Sequence, residues 1–331
     1  MPYPVSGSPT PAGSSNPNPA YTGVFIPTIW SGKLIEKFYD ATVLAAISNS
    51  DYEGEISNQG DKVVIRTKPT ITINDYEANQ ALAVERPSSN IVELLIDQGK
   101  YFNTILDDVM EVQADLNQLS MWADDASEQM KITIDTDVLA YMSTEMVAEN
   151  SGAAAGRLSG NIDLGTNAAP VEIIDRVGKG FDGVEVVDLI TRMAQVLDEQ
   201  NIPESNRWLV IPAWMAASIK RSELRDASLT GDGVTMLRNG RLGMIERFTV
   251  YMSNLLPTAA STGGNAATVT NVYAGHSHGL TFASQLTKME TLRGESTFGT
   301  YLRGLQVYGR KVTDATALVE AQVRPSVVPS A

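Results

Sequence analysis

The stretch KVVIRTKPTITINDY, Lys62 to Tyr76, alternates apolar and polar residues with the period of a strand. Ile65, Thr67, Ile71 and Ile73 fall on one face, and Arg66, Lys68, Thr70 and Thr72 on the other. A second such run, NIVELLIDQGKYF, begins at Asn90. Together they predict a two-stranded ribbon from Gly60 to Phe102, rich in Val, Ile and Thr. Its connecting tip, EANQALAVERPSSN, has no hairpin dipeptide such as Asn-Gly. A two-stranded ribbon alone is marginal in water. These arms hold too few apolar residues for a core of their own, so the ribbon must lie on its own domain or on another subunit.

From Lys100 to Ser151 there is neither Gly nor Pro. Apolar residues recur at spacings of three and four, at Ile105, Val109, Val112, Leu116, Leu119, Trp122, Ala126, Met130, Ile134, Val138, Met142 and Met146. The pattern predicts one helix of about 40 residues, about 60 Å long at 1.5 Å per residue. Its stripe is one-sided and β-rich segments flank it, so it reads as the backbone of an elongated domain, not a coiled-coil strand. Thr104 to Glu149 carry eleven acids and one base, Lys131.

Ahead of the ribbon, Pro2, Pro4, Pro9, Pro11, Pro17 and Pro19 rule out regular structure over residues 1–20, which form an arm. PTIWSGKLIEKFYDATVLAAIS follows, with a helical face of Trp30, Leu34, Phe38, Leu44, Ala45 and Ile47. After the long helix comes a small-residue loop, Ser151 to Pro170. VEVVDLITRMAQVLDEQNIP reads as an amphipathic helix stopped by Pro203, RWLVIP as a buried strand and AWMAASIKRSELRDA as a helix. SLTGDGVTMLRNGRLG reads as a loop, MIERFTVYMSNLLP as a strand ending at Pro257, and TAASTGGNAATVT as a flexible loop. NVYAG, GLTFASQL and TYLRGLQVYGRKV read as further strands. The fold class is α+β.

Composition narrows the function. The chain has 331 residues, about two domains' worth at about 150 residues each. Its hydrophobic content of 43% supports a real core. A net charge of −14 argues against a nucleic-acid binder, because phosphate contacts need Lys and Arg. The absence of cysteine excludes disulfides, thiolate metal sites and Cys nucleophiles. The start lacks a signal-peptide pattern, and no run of about 18 apolar residues could span a membrane, so the chain is expected to work in the cytosol where it is made.

Candidate chemistry is sparse. GHSHG, Gly275 to Gly279, matches the G-x-S-x-G of a hydrolase elbow with Ser277 as nucleophile. The segment after it reads as strand, however, and no His lies beyond His278, so a tight turn between strands is the expectation. His276 and His278 could hold a metal only with further ligands, and no acid cluster lies near them in sequence. The pairs Asp107–Asp108 and Asp124–Asp125 cannot share a helix face, so they read as a solvated acidic surface. Asp107, Asp108 and Glu111 suit a helix N-terminus. TGDGV lacks the Lys of a P-loop. No catalytic, cofactor-binding or metal residue is assigned. What remains is an arm, a ribbon and a long helix that reach outward, as in a subunit that must hold neighbours.

In the order of its parts the chain resembles the major capsid proteins of tailed double-stranded DNA bacteriophages, with the Hong Kong 97-type fold. Residues 1–50 look like the N-terminal arm and helix, and 51–103 like the extended hairpin called the E-loop. Residues 104–182 with 296–331 resemble the peripheral domain with its spine helix, TILDDVMEVQADLNQLSMWADDASEQMKITIDTDVLAYM. Residues 183–295 resemble the axial domain. The pairing of GRLGMIERFTVYMSNLLP with FGTYLRGLQVYG is the most specific part. The resemblance implies a non-enzymatic structural protein that assembles as hexamers and pentamers into an icosahedral shell around double-stranded DNA, built in the host cytoplasm. It implies a portal, possible decoration proteins and no cofactor. No long N-terminal segment is present to act as a built-in scaffold, which implies a separate scaffolding protein or none. No motif marks a Lys–Asn crosslink. Lys62, Arg66 and Lys68, basic in an acidic chain, are expected to meet a neighbour's acidic surface, such as the long helix around Asp124, Asp125 and Glu128. Glu85 and Arg86 on the tip are expected to join that contact. The alternatives are an encapsulin-like nanocompartment shell, a tail structural protein and a serine hydrolase using Ser277.

Overall fold

The computed structural model describes residues 39, 42–51, 62–69, 71–89, 91–109, 118–174, 183–222, 243–263, 268–294 and 297–326. The chain divides into two units, Met1–Lys37 and Phe38–Ala331, and all the described residues belong to the second. The proline-rich arm, most of the predicted first helix and all but Gly243 of the loop SLTGDGVTMLRNGRLG lie outside the described residues.

In chain order the elements are α1 (Leu44–Ile47), β1 (Lys62–Arg66), β2 (Ile91–Leu95), β3 (Gln98–Asp107) and the long helix α2 (Gln118–Met142). They continue with β4 (Val171–Ile174), β5 (Val184–Glu185), α3 (Val186–Glu199), β6 (Arg207–Ile211) and α4 (Ala213–Arg221). The last are β7 (Met244–Ile245), β8 (Phe248–Met252), β9 (Thr258–Ala260), β10 (Thr268–His276), β11 (Leu280–Arg293), β12 (Gly299–Val312) and β13 (Leu318–Pro325). An eight-stranded sheet runs β5-β4-β13-β10-β6-β8-β7, with β9 also on β10. A three-stranded antiparallel sheet runs β11-β12-β3, and β1 pairs with β2. The boundaries drawn on the sequence at 182 and 296 cross both larger sheets. β4 and β13 share the sheet that carries α3, and β11 shares the one that carries β3.

The continuous apolar run of β6 follows from burial on both faces. Leu209 and Ile211 join a core with Leu189, Met193 and Leu197 of α3 and Met215 and Ile219 of α4. Trp208 and Val210 point the other way, into a core with Tyr273, Leu318, Tyr308 and the α2 residues Ile134, Val138, Leu139 and Met142. The single strand thus joins two cores. Each fully buried Leu or Met contributes about 1.5–3 kcal/mol relative to exposure.

Three sequence expectations are corrected. The single helix of about 40 residues breaks into different elements. Gln98–Asp107 is a strand paired with β12, so the predicted helix is strand from Asn103 to Asp107; Asp108 and Val109 are helical, residues 110–117 lie outside the described residues, α2 covers the 25 residues Gln118–Met142, and turns follow Met142. Tyr101, Phe102, Thr104 and Ile105 are strand formers, and ten cross-strand partners on β12 outweigh the helical spacing. The 25 residues of α2 span about 37 Å. Second, MIERFTVYMSNLLP is a hairpin, not one strand. Glu246 and Arg247 take φ of 46° and 66°, the left-handed pair that a two-residue turn needs. Arg247 is held there by Asp198 at 3.3 Å and Glu204 at 2.6 Å. Third, the predicted loop TAASTGGNAATVT contributes β9 and the start of β10, which pair with each other.

The ribbon is also shorter than predicted. Pairing stops at Arg66 and Ile91, and none of the described residues from Thr67 to Tyr76 lies in a strand. Pro69 has no N–H for a ladder, and Ile71 and Ile73 find no surface to pack on, being 61% and 89% exposed.

Candidate assembly surface

The base of the ribbon is anchored on its own chain. Ile65 and Leu94 are buried against Ala283 of β11, with Val63, Val92 and Ile96 around them. Beyond Arg66 the two arms continue without a core. The Glu85 carboxylate accepts the Thr72 N–H at 3.1 Å and ties one arm to the other. Past that tie, Ile73 and Val84 are about nine-tenths exposed, at 89% and 90%, and Tyr76 and Leu82 are exposed beside them in sequence. At 25 cal/mol per Å² of apolar surface, leaving such residues in water forgoes about 1.5–3 kcal/mol each.

The structure sorts the predicted contact residues. Lys62 is already engaged, with its Nζ 3.1 Å from Glu93 across the ribbon. That pair is exposed and contributes about 0–1 kcal/mol. Arg66, Lys68 and Arg86 form no ion pair among the described residues. Lys68, Arg86 and Glu85 line one notch with Pro69 and Pro87, so the fold brings two cations from opposite arms together. On α2, Asp124 is exposed, Asp125 accepts the Tyr39 hydroxyl at 2.9 Å, and Glu128 pairs with Lys131 at 2.6 Å. Hydrogen bonding to Asp125, then burial and the surrounding acids, raises the Tyr39 pKa. Ribbon cations and helix acids form no ion pair with each other among the described residues.

A wholly solvated acidic helix is not what forms. Asp135 is buried, at 1% exposure. Asp137 accepts the Tyr308 hydroxyl at 2.7 Å and pairs with Arg310, whose guanidinium lies 4.6 Å from the centre of the Tyr141 ring. Lys311 reaches Glu145 at 2.7 Å. Arg293 grips Asp108 with both terminal nitrogens, one at 2.9 Å. These contacts seat α2 and its approaches on β12 and β11. Their partners stand more than 160 residues away in sequence, so no local spacing could reveal them.

GHSHG is the tight turn expected between β10 and β11. Gly279 N–H donates to the His276 carbonyl at 2.9 Å, and Ser277 N–H to Asn206 at 3.2 Å. His276 Nδ1 accepts the His278 N–H at 3.1 Å, so that lone pair is occupied by the turn itself. Burial lowers the His276 pKa. A strand, not the helix of a nucleophile elbow, follows Ser277. Gly275 is required by packing: a Cβ there would lie 2.8 Å from the Ala317 carbonyl oxygen and 2.7 Å from Leu318 Cδ2. No group of three metal-ligating side chains exists among the described residues, and none of their helices is long and apolar enough to cross a membrane.

Comparison with known proteins agrees with this architecture. No curated protein matches the chain. Among solved structures it is similar to a chain of Mycobacterium phage Che8, with 26% identity and a TM-score of 0.70, over 89% of this chain and 96% of that one. A chain from the capsid of Cyanophage P-SCSP1u shares the fold at 15% identity and a TM-score of 0.66, covering 91% and 94% of the two chains. A chain from the mature capsid of bacteriophage PhiM1 shares it at 14% identity and a TM-score of 0.62, covering 92% and 93%. Residues 92–321 match the phage capsid protein family, and the chain therefore belongs to that family.

Proposed function

We propose that this capsid subunit assembles as hexamers and pentamers into an icosahedral shell around double-stranded DNA, in the cytoplasm of the host, and does no chemistry. The observation that carries the reading is the ribbon. Its base is buried on its own chain, while its tip presents bare Ile73 and Val84. A tip so built is complete only when a neighbouring copy covers it. The cations Arg66, Lys68 and Arg86 meet acidic side chains of that copy, with Asp124, Asp125 and Glu128 as the candidates. Glu85 serves by holding the tip together. A portal and a separate scaffolding protein complete the assembly, and decoration proteins remain compatible with it. DNA is enclosed without sequence-specific contacts, in keeping with the net charge of −14.

The test is the double substitution Ile73→Ser with Val84→Ser. Both side chains are exposed in the single subunit, so its melting temperature is expected to stay as in wild type. Shell formation, followed by sedimentation, is expected to be lost. Shells forming as in wild type would remove the tip from the assembly contact.

A further inference from the structure

β12 stays paired with β3 up to Tyr308, which stands opposite Gln98. One residue further on, Gly309 has passed the end of β3, and the chain between β2 and β3 crosses over it. A Cβ on Gly309 would lie 2.4 Å from the Leu95 carbonyl oxygen and 3.2 Å from Ile96 Cγ1. Glycine inside a strand allows this close approach of another backbone. Gly309 pairs with Ala283 of β11, so the two residues face the same side of the sheet. Ala283 is fully buried, and Ile65 and Leu94 of the ribbon close over it. Two small residues side by side thus form a seat, and the base of the ribbon is sunk into it.

One side of this contact is firm. On the opposite face of β12, Tyr308 and Arg310 both hold Asp137 of α2, and Tyr308 and Val312 share a core with Ile134, Val138 and Met142. Moving β12 away from an added atom would overpack that core. The ribbon is held only by the small cluster of Ile65, Leu94 and Ala283, with Val63, Val92 and Ile96 around it. The ribbon is therefore the part that gives. Its two supports are spaced along its length. Gly309 lies under Leu95 at the root, and Ala283 lies under Ile65, whose partner Val92 is three positions further out. Raising the root support tips the far end one way, and raising the outer support tips it the other.

We propose that Gly309 and Ala283 are positioning residues that set the angle at which the ribbon leaves the subunit. The angle is a property of this chain alone. Its consequence, that the seat aims the tip at its place on a neighbouring copy, rests on the assembly role proposed above.

Distances between spin labels test it, because the chain has no cysteine and introduced ones are labelled cleanly. Double electron–electron resonance is read from Ala81→Cys on the exposed tip to Thr191→Cys on α3 or to Ala260→Cys on β9, both exposed. Two body positions catch a swing in either direction, and the Thr191–Ala260 pair reports the body itself. Labelled chain is diluted with excess unlabelled chain, so that only distances within one chain count. Opening the 2.4 Å approach to an ordinary 3.4 Å lifts Leu95 by about 1 Å; with about 10 Å between the supports and about 36 Å from Val92 to Ala81, the tip moves by about 3–4 Å. Gly309→Ala is expected to change the tip distances on that scale and to leave the body pair unchanged. Ala283→Val is expected to move the tip in the opposite sense, and it decides should Gly309→Ala fail to fold. Gly304→Ala is the control: it crowds the same strand, but its Cβ meets the Phe102 ring, a side chain that can turn aside, so the tip is expected to stay. An unmoved tip in the seat variants overturns the proposal, as does an equal shift from Gly304→Ala. Sedimentation of Gly309→Ala is expected to show shells lost or altered in size. A shifted tip with wild-type shells overturns the consequence for assembly and leaves the seat standing.

Discussion

Reversing the charges at the ribbon neck, Arg66→Glu with Lys68→Glu, separates folding from assembly. Both side chains are exposed, with no ion pair among the described residues. Loss of either therefore removes nothing from the isolated fold, and stability is expected to stay within about 0.5 kcal/mol of wild type. In the proposed contact with a neighbour's acids, each cation would gain about 1 kcal/mol at 4 Å in a water-like dielectric. Reversal converts that attraction into repulsion of similar size, about 2 kcal/mol per charge and about 4 kcal/mol per ribbon. At 1.4 kcal/mol per tenfold, each contact weakens by about a thousandfold. A contact of this kind would recur at every subunit, so shells are expected to vanish while the melting curve is unchanged. The assay pairs thermal melting by circular dichroism with gradient sedimentation. Salt offers an internal check, since a screening length of about 10 Å at 0.1 M shrinks to about 3 Å at 1 M, and wild-type assembly should weaken over that range. Lys62→Gln breaks only the exposed pair with Glu93 and is expected to leave shells intact. Normal shells from the double reversal would refute the reasoning.

Two further outcomes follow from the interior and from pH. Leu139→Ala empties a fully buried site shared by α2, β6 and β12, and is expected to cost about 3–5 kcal/mol in denaturant unfolding; a loss under about 1 kcal/mol would contradict the packing. Slight burial raises the Glu199 pKa, but the N–H groups of Leu158 and Ser159 outweigh it and hold it at about 2. A depressed pKa contributes stability above the ordinary carboxylate value and loses it as pH falls. Protection of the Leu158 and Ser159 amides is therefore expected to fall from about pH 4.5 towards about pH 2, and Glu199→Gln to abolish that dependence.

Legibility in the sequence followed the range of the interactions. The strand β6 and the helix α3 are plain in the sequence, because their patterns are local consequences of burial: four apolar residues in a row, Trp208 to Ile211, and an amphipathic stripe ending at Pro203. The ribbon was legible up to Arg66, where Ile65 meets Ala283, and overextended beyond it, where alternation continues but no surface lies beneath. The first half of β3 reads as strand in the sequence, but its second half, Asn103–Asp107, reads as helix because Ile105 and Val109 happen to keep a spacing of four. Its true partner is remote, with Tyr101 opposite Leu305. The basic neck was visible as charge in an acidic chain, but the engagement of Lys62 by Glu93 appears only once the register is known. Asp135 carried no sequence signal. It sits among other acids on one helix, and the amides it binds lie 91 and 92 positions away.

The central claim is that this chain builds closed shells by covering each subunit's ribbon tip with a neighbour. Negative-stain electron microscopy of the purified protein expressed alone tests it most directly. Closed shells, or hexamers and pentamers on the way to them, are the predicted result. A chain that stays monomeric at every concentration and salt tried would contradict the account.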